Sequence, residues 1–179
     1  MYVVNFFGVP GAGKSTGAAY VFSKLKMRGI NAELVTEFAK DLNWEENDKA
    51  LSNQFYVSGC QANRLSRLKD KVDIVITDSP LPIGILYFND STPPHLRNAI
   101  MEEYDKYENV NFLIDRVKPY NPIGRNQTKE KSKEIACHIV DLLTMEQIKF
   151  TKVGGNQCGY DYIVKYIEEL LSFSNENQE

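Results

Sequence analysis

Cysteine is scarce in this 179-residue chain: Cys60, Cys137 and Cys158 are odd in number, widely spaced and free of any Cys-x-x-Cys pair. That excludes a disulfide framework and a thiolate zinc site, and it fits reduced thiols that serve as packing residues. Histidine is scarcer still, and His95 and His138 stand apart, with no metal or catalytic role assigned to either. No run of about 18 apolar residues occurs, so no membrane span is expected. Positive charge is not in excess. The net charge of −3 gives no overall pull toward nucleic acid or membrane, and any polyanion contact must come from a local basic patch. The chain opens directly on a β-like run without a basic leader, so the expectation is a soluble, cytoplasmic protein. Internal repeats, low-complexity segments and Pro/Gly-rich linkers are also missing, which makes residues 1–173 one expected domain and 174–179 a frayed tail.

What is present alternates. Tyr2 to Phe7 reads as a buried strand ending in glycine, and Lys14 to Arg28 as a helix with Ala18, Val21, Phe22 and Leu25 on one face. Further strands are expected at Ile30–Thr36, Val72–Thr77, Val110–Ile114 and Ile148–Val153. Helices are expected at Leu51–Lys69, His95–Tyr107, Thr128–Met145 and Tyr160–Phe173, with part of Phe38–Asp48 also helical. The pattern predicts an α/β fold: a five-stranded parallel sheet flanked by helices on both faces.

Between the first strand and helix lies Gly8-Val9-Pro10-Gly11-Ala12-Gly13-Lys14-Ser15, a Gly-x-x-x-x-Gly-Lys-Ser phosphate loop in its expected context. Gly8, Gly11, Ala12 and Gly13 let the backbone turn its N–H groups onto a phosphate, and the helix N-terminus adds about half a positive charge. Lys14 reaches the β- and γ-phosphates of ATP, and Ser15 ligates Mg²⁺. Thr16 either touches the α-phosphate or caps the helix.

A phosphate loop serves GTPases, motor ATPases and kinases alike. A GTPase would follow its third strand with Asp-x-x-Gly, whereas Asp78-Ser79-Pro80-Leu81 has leucine there, and no Asn-Lys-x-Asp guanine motif occurs. A motor or AAA-type ATPase would place glutamate after the strand-end aspartate to activate water, yet Ser79 stands in that position. A kinase remains. Asp78 is placed to hold Mg²⁺, or else caps the segment that follows. Glu37, at the carboxyl end of the second strand, is the candidate base for an acceptor hydroxyl, or else a solvated glutamate at a helix N-terminus. Phe38 either stacks on an acceptor base or is buried at the helix start.

From Arg116 to Lys133 the chain carries Arg116, Lys118, Arg125, Lys129, Lys131 and Lys133 against Glu130 alone. Pro119, Pro122 and Gly124 make its first part a loop, a basic lid from which Arg116 and Arg125 neutralise charge on the transferred phosphoryl group. The three later lysines read as a solvated face. Gly154-Gly155 either brings backbone to the adenine or forms a turn that needs positive φ. Gln54, Gln61, Arg64 and Arg67 either line an acceptor pocket or form a solvent-facing stripe.

Four segments also carry a resemblance: Asn5-Phe6-Phe7-Gly8, Val35-Thr36-Glu37-Phe38-Ala39-Lys40-Asp41-Leu42, Ile76-Thr77-Asp78-Ser79-Pro80, and Val117-Lys118-Pro119-Tyr120-Asn121-Pro122-Ile123-Gly124-Arg125-Asn126-Gln127. Together they resemble phage P-loop kinases of the thymidylate-kinase-like group, over most of the chain from Tyr2 to about Val153. Within that group they look most like the phage 5-hydroxymethyl-2′-deoxyuridine DNA kinases, which phosphorylate the base hydroxymethyl group on the way to hypermodified thymidines. The resemblance implies ATP and Mg²⁺ at Lys14, Ser15 and Asp78, acceptor activation by Glu37, and lid arginines at Arg116 and Arg125. The implied partner is hydroxymethyluracil-containing DNA. A free nucleoside or nucleoside monophosphate competes with it, because the best basic patch of this acidic chain is also its lid. A nucleotide-dependent binding module is a third reading, against which the Glu37 and Arg125 segments stand. Monomer and homodimer stay open.

Overall fold

The structure, a computed structural model, describes residues 1–117 and 129–176, without the side chains of 129–133 and 174–176. Its strands are β1 (Tyr2–Phe7), β2 (Ala32–Val35), β3 (Ile74–Thr77), β4 (Glu108–Asp115) and β5 (Thr151–Gly154). Its helices are α1 (Lys14–Met27), α2 (Phe38–Trp44), α3 (Asp48–Leu51), α4 (Gln54–Ser66), α5 (Leu96–Tyr104), α6 (Lys129–Met145) and α7 (Gln157–Glu176). The five strands form one sheet in the order β2-β3-β1-β4-β5, parallel at every pairing.

Side chains alternate across β1 and so divide the core. Val4 and Phe6 pack with Ile74, Ile76, Phe112 and Ile114 beneath α1 and α7, which contribute Val21, Leu25, Ile163 and Ile167. Val3 and Phe7 pack on the other face with Leu65, Ile100, Ile139 and Leu143 from α4, α5 and α6. Burial on both faces makes these strands read as near-continuous apolar runs, and burying a Phe or Ile side chain stabilises by about 1.5–3 kcal/mol. Asn5 interrupts the run in the second layer, where its amide donates to Asn109 Oδ1 (2.8 Å) and Asn111 Oδ1 (3.0 Å). The described residues contain no helix long and apolar enough to cross a membrane.

Boundaries differ from expectation where local caps intervene. The single helix expected at Leu51–Lys69 is two, because Asn53 caps α4 by accepting from the Tyr56 N–H, and Asn47 caps α3 in the same way. Ile30–Asn31 and Val72–Asp73 lie outside their strands, and a 3₁₀ turn at Leu81–Tyr87, not foreseen, follows β3. α7 continues to Glu176, into the expected tail, since neither glycine nor proline follows Phe173. Phe55 on α4 is exposed despite its apolar ring, and Cys137 and Cys158 are exposed rather than packed.

Candidate active site

β1 delivers the chain into the phosphate loop at the carboxyl end of the sheet. Gly8 passes so close to β4 that a Cβ there would lie 2.7 Å from the Ile114 carbonyl oxygen. Gly13, at φ 102°, takes the left-handed conformation that turns the loop into α1, and the Gly17 N–H then donates to its carbonyl at 2.8 Å. Lys14 reaches back across the loop, its Nζ donating to the Gly8 carbonyl at 2.7 Å and the Val9 carbonyl at 3.2 Å. Ser15 and Thr16 are exposed in the first turn of α1, and no hydroxyl bond from Thr16 caps the helix among the described residues.

The two strand-end carboxylates lie near this lysine, with Glu37 feeling the charges of both Lys14 and Asp78. Asp78 follows β3 and is buried, and its Oδ1 has no hydrogen-bond partner among the described residues. It does not cap the segment after it, because Pro80 holds the cap position of the 3₁₀ turn, which has no side-chain cap bond. Glu37 occupies the N-cap position of α2 yet makes no capping bond. Burial first, and then the Asp78 charge, raise its carboxyl above the usual glutamate value against the opposing pull of Lys14. Desolvation and the Glu37 charge likewise raise the Tyr87 phenol, although Tyr87 as a residue is exposed. Lys14, Glu37 and Asp78 therefore form one electrostatic cluster.

Helix α4 packs against the segment that carries Glu37, and sequence reasoning left its part undecided. Gln54 and Gln61 are buried, Arg64 is half-buried and Arg67 is exposed, so the four residues are neither one pocket wall nor one solvent stripe. Gln61 Oε1 accepts from the Phe38 N–H at 2.8 Å, and its Nε2 donates to the carbonyls of Thr36 (3.4 Å) and Ser79 (3.3 Å). Arg64 donates to Thr36 O (3.1 Å), pairs with Asp41 and lies 5.1 Å from the centre of the Phe38 ring. Phe38, half-buried at the start of α2, also meets Tyr56 edge-on with ring centres 5.5 Å apart. The signal for Gln61 lay in its spacing: it falls between Val57 and Leu65, four residues from each, on the buried stripe of α4.

On the opposite side the β5–α7 corner supports the loop. Gly154 and Gly155 do not take positive φ, so the turn reading fails, and Gly155 lies hard against protein backbone. A Cβ on Gly155 would overlap the Ala12 carbonyl oxygen, and the Tyr160 hydroxyl donates to the Gly13 carbonyl at 3.0 Å. Gly154 lies beside Val117, with 3.4 Å from its Cβ position to Val117 Cγ1. Gly155→Ala is expected to melt on the order of 5 °C lower without nucleotide, from about 1–3 kcal/mol of overpacking at about 2–4 °C per kcal/mol. Gly59→Ala, whose Cβ meets nothing within 4 Å, is the control and should melt no lower than the parent.

Arg116 follows β4 and donates through Nη2 to the Pro10 carbonyl at 2.6 Å, which sets its guanidinium on the rim of the phosphate loop. Arg125, together with Lys118, Tyr120, Asn121 and Gln127, lies outside the described residues, as do the side chains of Lys129, Lys131 and Lys133. A cavity of about 330 Å³ opens beside the loop under α6, lined by Gly8, Val9, Leu113, Arg116, Ile139 and Val140 among others. It adjoins the Lys14 cluster without including it.

A parallel sheet with a phosphate loop on its first strand defines a P-loop nucleotide-binding domain. Residues 3–157 match the model of a family described as an AAA domain, and the chain belongs to that family. Sequence reasoning set AAA-type ATPases aside on account of Ser79; the family membership corrects that, while Ser79 still stands where a water-activating glutamate would be. No curated protein matches the chain in sequence. Among solved structures it is similar to deoxyadenosine kinase from M. mycoides with bound dATP, at 16% identity and a TM-score of 0.54, covering 95% of this chain and 99% of that one. It is also similar to the same kinase with dCMP and a flexible dCDP bound, at 17% identity and a TM-score of 0.58, covering 95% and 98%. These likenesses establish the fold.

Proposed function

We propose that the protein is a kinase that transfers the γ-phosphoryl group of ATP to a hydroxyl, and that the hydroxyl is the hydroxymethyl group of hydroxymethyluracil in DNA. The observation that carries the transfer reaction is the convergence of Lys14, Glu37 and Asp78 at the carboxyl ends of three adjacent strands. Lys14 neutralises charge on the phosphoryl group as it moves, and Glu37 takes the proton from the acceptor hydroxyl. Its raised affinity for a proton makes Glu37 a stronger base than an ordinary glutamate, provided it is ionised when the acceptor arrives. Asp78 and Ser15 suit Mg²⁺, because Asp78 Oδ1 is buried without a partner among the described residues and the Ser15 hydroxyl stands exposed in the first turn of α1. Mg²⁺ takes few protein ligands when nucleotide phosphates supply the rest, and it would offset phosphate charge there. Ser79 in place of glutamate leaves water without an activating carboxylate at that position, which favours an alcohol acceptor over hydrolysis.

The DNA acceptor is supported by the four-segment resemblance and by aromatic side chains on which an extruded base can stack, Tyr87 beside Glu37 and Phe38 next to it in sequence with Tyr56 against its ring. A second reading, a free deoxynucleoside or its monophosphate, is favoured by charge. Asp41, Glu45, Glu46 and Asp48 follow Glu37 against Lys40 and Lys49, a poor surface for a polyanion. The fold likeness to a deoxyadenosine kinase points the same way.

Labelling with γ-³²P ATP separates the two. Hydroxymethyluracil DNA is expected to take label while thymine DNA does not, and the apparent DNA affinity should fall steeply between low and moderate salt. Label in a free deoxynucleoside or monophosphate, with DNA untouched, would establish the second reading instead.

A further inference from the structure

We propose that Gln61 is a positioning residue that sets Glu37 against Asp78, an inference that rests on the reading of Glu37 as the base. The β2–β3 ladder ends at the pair Val35↔Thr77, so Glu37 lies two residues and Asp78 one residue beyond the last strand pairing. Past that point the two chains need another tie, and the Gln61 amide supplies it. Its Oε1 takes the N–H of Phe38 on one side of Glu37, and its Nε2 binds the carbonyl of Thr36 on the other side, at 2.8 and 3.4 Å. The same Nε2 binds the carbonyl of Ser79, the residue after Asp78, at 3.3 Å. One planar group thus bridges the backbone around both carboxylates, and at 5% exposure on a helix it is held by packing.

Only an amide fits this place. The Phe38 N–H can only donate, and the Thr36 and Ser79 carbonyls can only accept, so the side chain must offer an acceptor on one edge and a donor on the other. Leucine would leave all three backbone groups without this partner, and an ionised carboxylate would face two carbonyl oxygens with no proton to give. Arg64 grips Thr36 from the more exposed side but does not reach Ser79. Gln61 therefore fixes the separation of the two carboxylates. A shift of about 1 Å in such a pair costs on the order of a hundredfold in rate. Loosening the Glu37 segment also admits water to its carboxyl, which lowers its pKa toward the ordinary value.

The test measures kcat, KM for ATP and the pH dependence of kcat in full-length Gln61→Leu, Gln61→Glu, Glu37→Gln and the double variant Glu37→Gln/Gln61→Leu. The acceptor is whichever of hydroxymethyluracil DNA or the free deoxynucleosides takes label. Gln61→Leu is expected to lose about 10–100-fold in kcat with KM for ATP within about twofold, and the acid limb of its profile should move to lower pH. Gln61→Glu, nearly the same shape, should also lose kcat while binding ATP normally. The double variant should be no slower than Glu37→Gln alone, since residues acting as a unit are not additive. Additive losses, or an acid limb that stays in place, overturn the inference. So does parental kcat in either Gln61 variant beside an inactive Glu37→Gln, and that result leaves the base assignment standing. Normal transfer by Glu37→Gln overturns the base assignment itself, and the positioning role with it.

Discussion

Lys14→Ala is expected to lose about a thousandfold or more in phosphoryl transfer, with every acceptor and at every ATP concentration that can be reached. The Lys14 ammonium already spans the loop mouth, held by the Gly8 carbonyl at 2.7 Å and the Val9 carbonyl at 3.2 Å. On the proposed reading it meets the charge that develops on the terminal phosphoryl group, and removing one such donor from a preorganised site costs about 10²–10³ in rate even when it is uncharged. A full positive charge at the phosphoryl group should cost more. Stability should change far less. The side chain is half-buried and two backbone carbonyls lose a partner, at about 1 kcal/mol each, or a few degrees in melting temperature. The comparison to make is single-turnover transfer beside thermal melting without nucleotide. Transfer near the parental rate would remove the phosphate loop from the chemistry, and a collapsed melting transition would make the lysine a structural strut.

The fold was legible because its signals are local and repeated. Apolar runs mark strands buried on both faces, helical spacing marks α1 and α6, and the glycine loop sits between a strand and a helix where its geometry requires it. Glu37 and Asp78 could be brought together on paper because parallel direction places the carboxyl ends of strands on one edge of the sheet, and the structure adds the order that makes β2 and β3 neighbours. What connects distant segments was not legible. Nothing in the composition of α4 says that Gln61 reaches two strand ends, or that Arg64 packs on Phe38. Gly155 is the clearest example. Two glycines after a strand suggested a turn or a nucleotide contact; the turn reading fails, and Gly155 meets a constraint that no motif announces, the Ala12 carbonyl oxygen, 143 positions earlier in the chain. Likewise nothing in the run from Tyr2 to Phe7 says that the partners of Asn5 are Asn109 and Asn111 on β4.

The same distinction bears on the acceptor. The donor half of the reaction is carried by a loop whose backbone geometry is tied to its sequence, so motif and structure point to it independently. On the proposed reading the acceptor half would be built from Glu37, Phe38, Gln61 and Tyr87, which come from three separate segments. Substrate choice follows from the spaces between them, and the charge of the segment after Glu37 enters as well. Labelling and salt dependence therefore discriminate acceptors better than any further motif.

Glu37→Gln is expected to separate catalysis from stability in opposite directions. The amide keeps the shape of the side chain but cannot take a proton from the acceptor hydroxyl, so transfer should fall by about 10²–10⁴-fold while ATP affinity is kept, since Lys14 and the loop are untouched. In the parent, kcat should rise with pH through the raised pKa of Glu37, because only the ionised carboxyl is a base; the residual rate of the variant should lack that limb. The stability change follows from the same shift. Burial, with Asp78 adding to it, makes the folded protein hold the Glu37 proton more tightly than the unfolded chain does. Between the ordinary glutamate value and the raised one, the folded state therefore binds more protons, and linkage requires stability to fall as pH rises through that window. Above the window the parent carries the full penalty of a buried charge. Glu37→Gln carries none, so it should melt at least as high as the parent above the window, and their difference should close as the pH drops below the ordinary glutamate range. Lys14 moderates the effect, because its attraction to the carboxylate is lost with the charge. Melting curves across pH, set beside single-turnover rates at the same pH values, read both halves at once. A variant that transfers normally would remove Glu37 from the chemistry, and one that melts lower above the window would show that Lys14, not burial, dominates the energetics of the cluster.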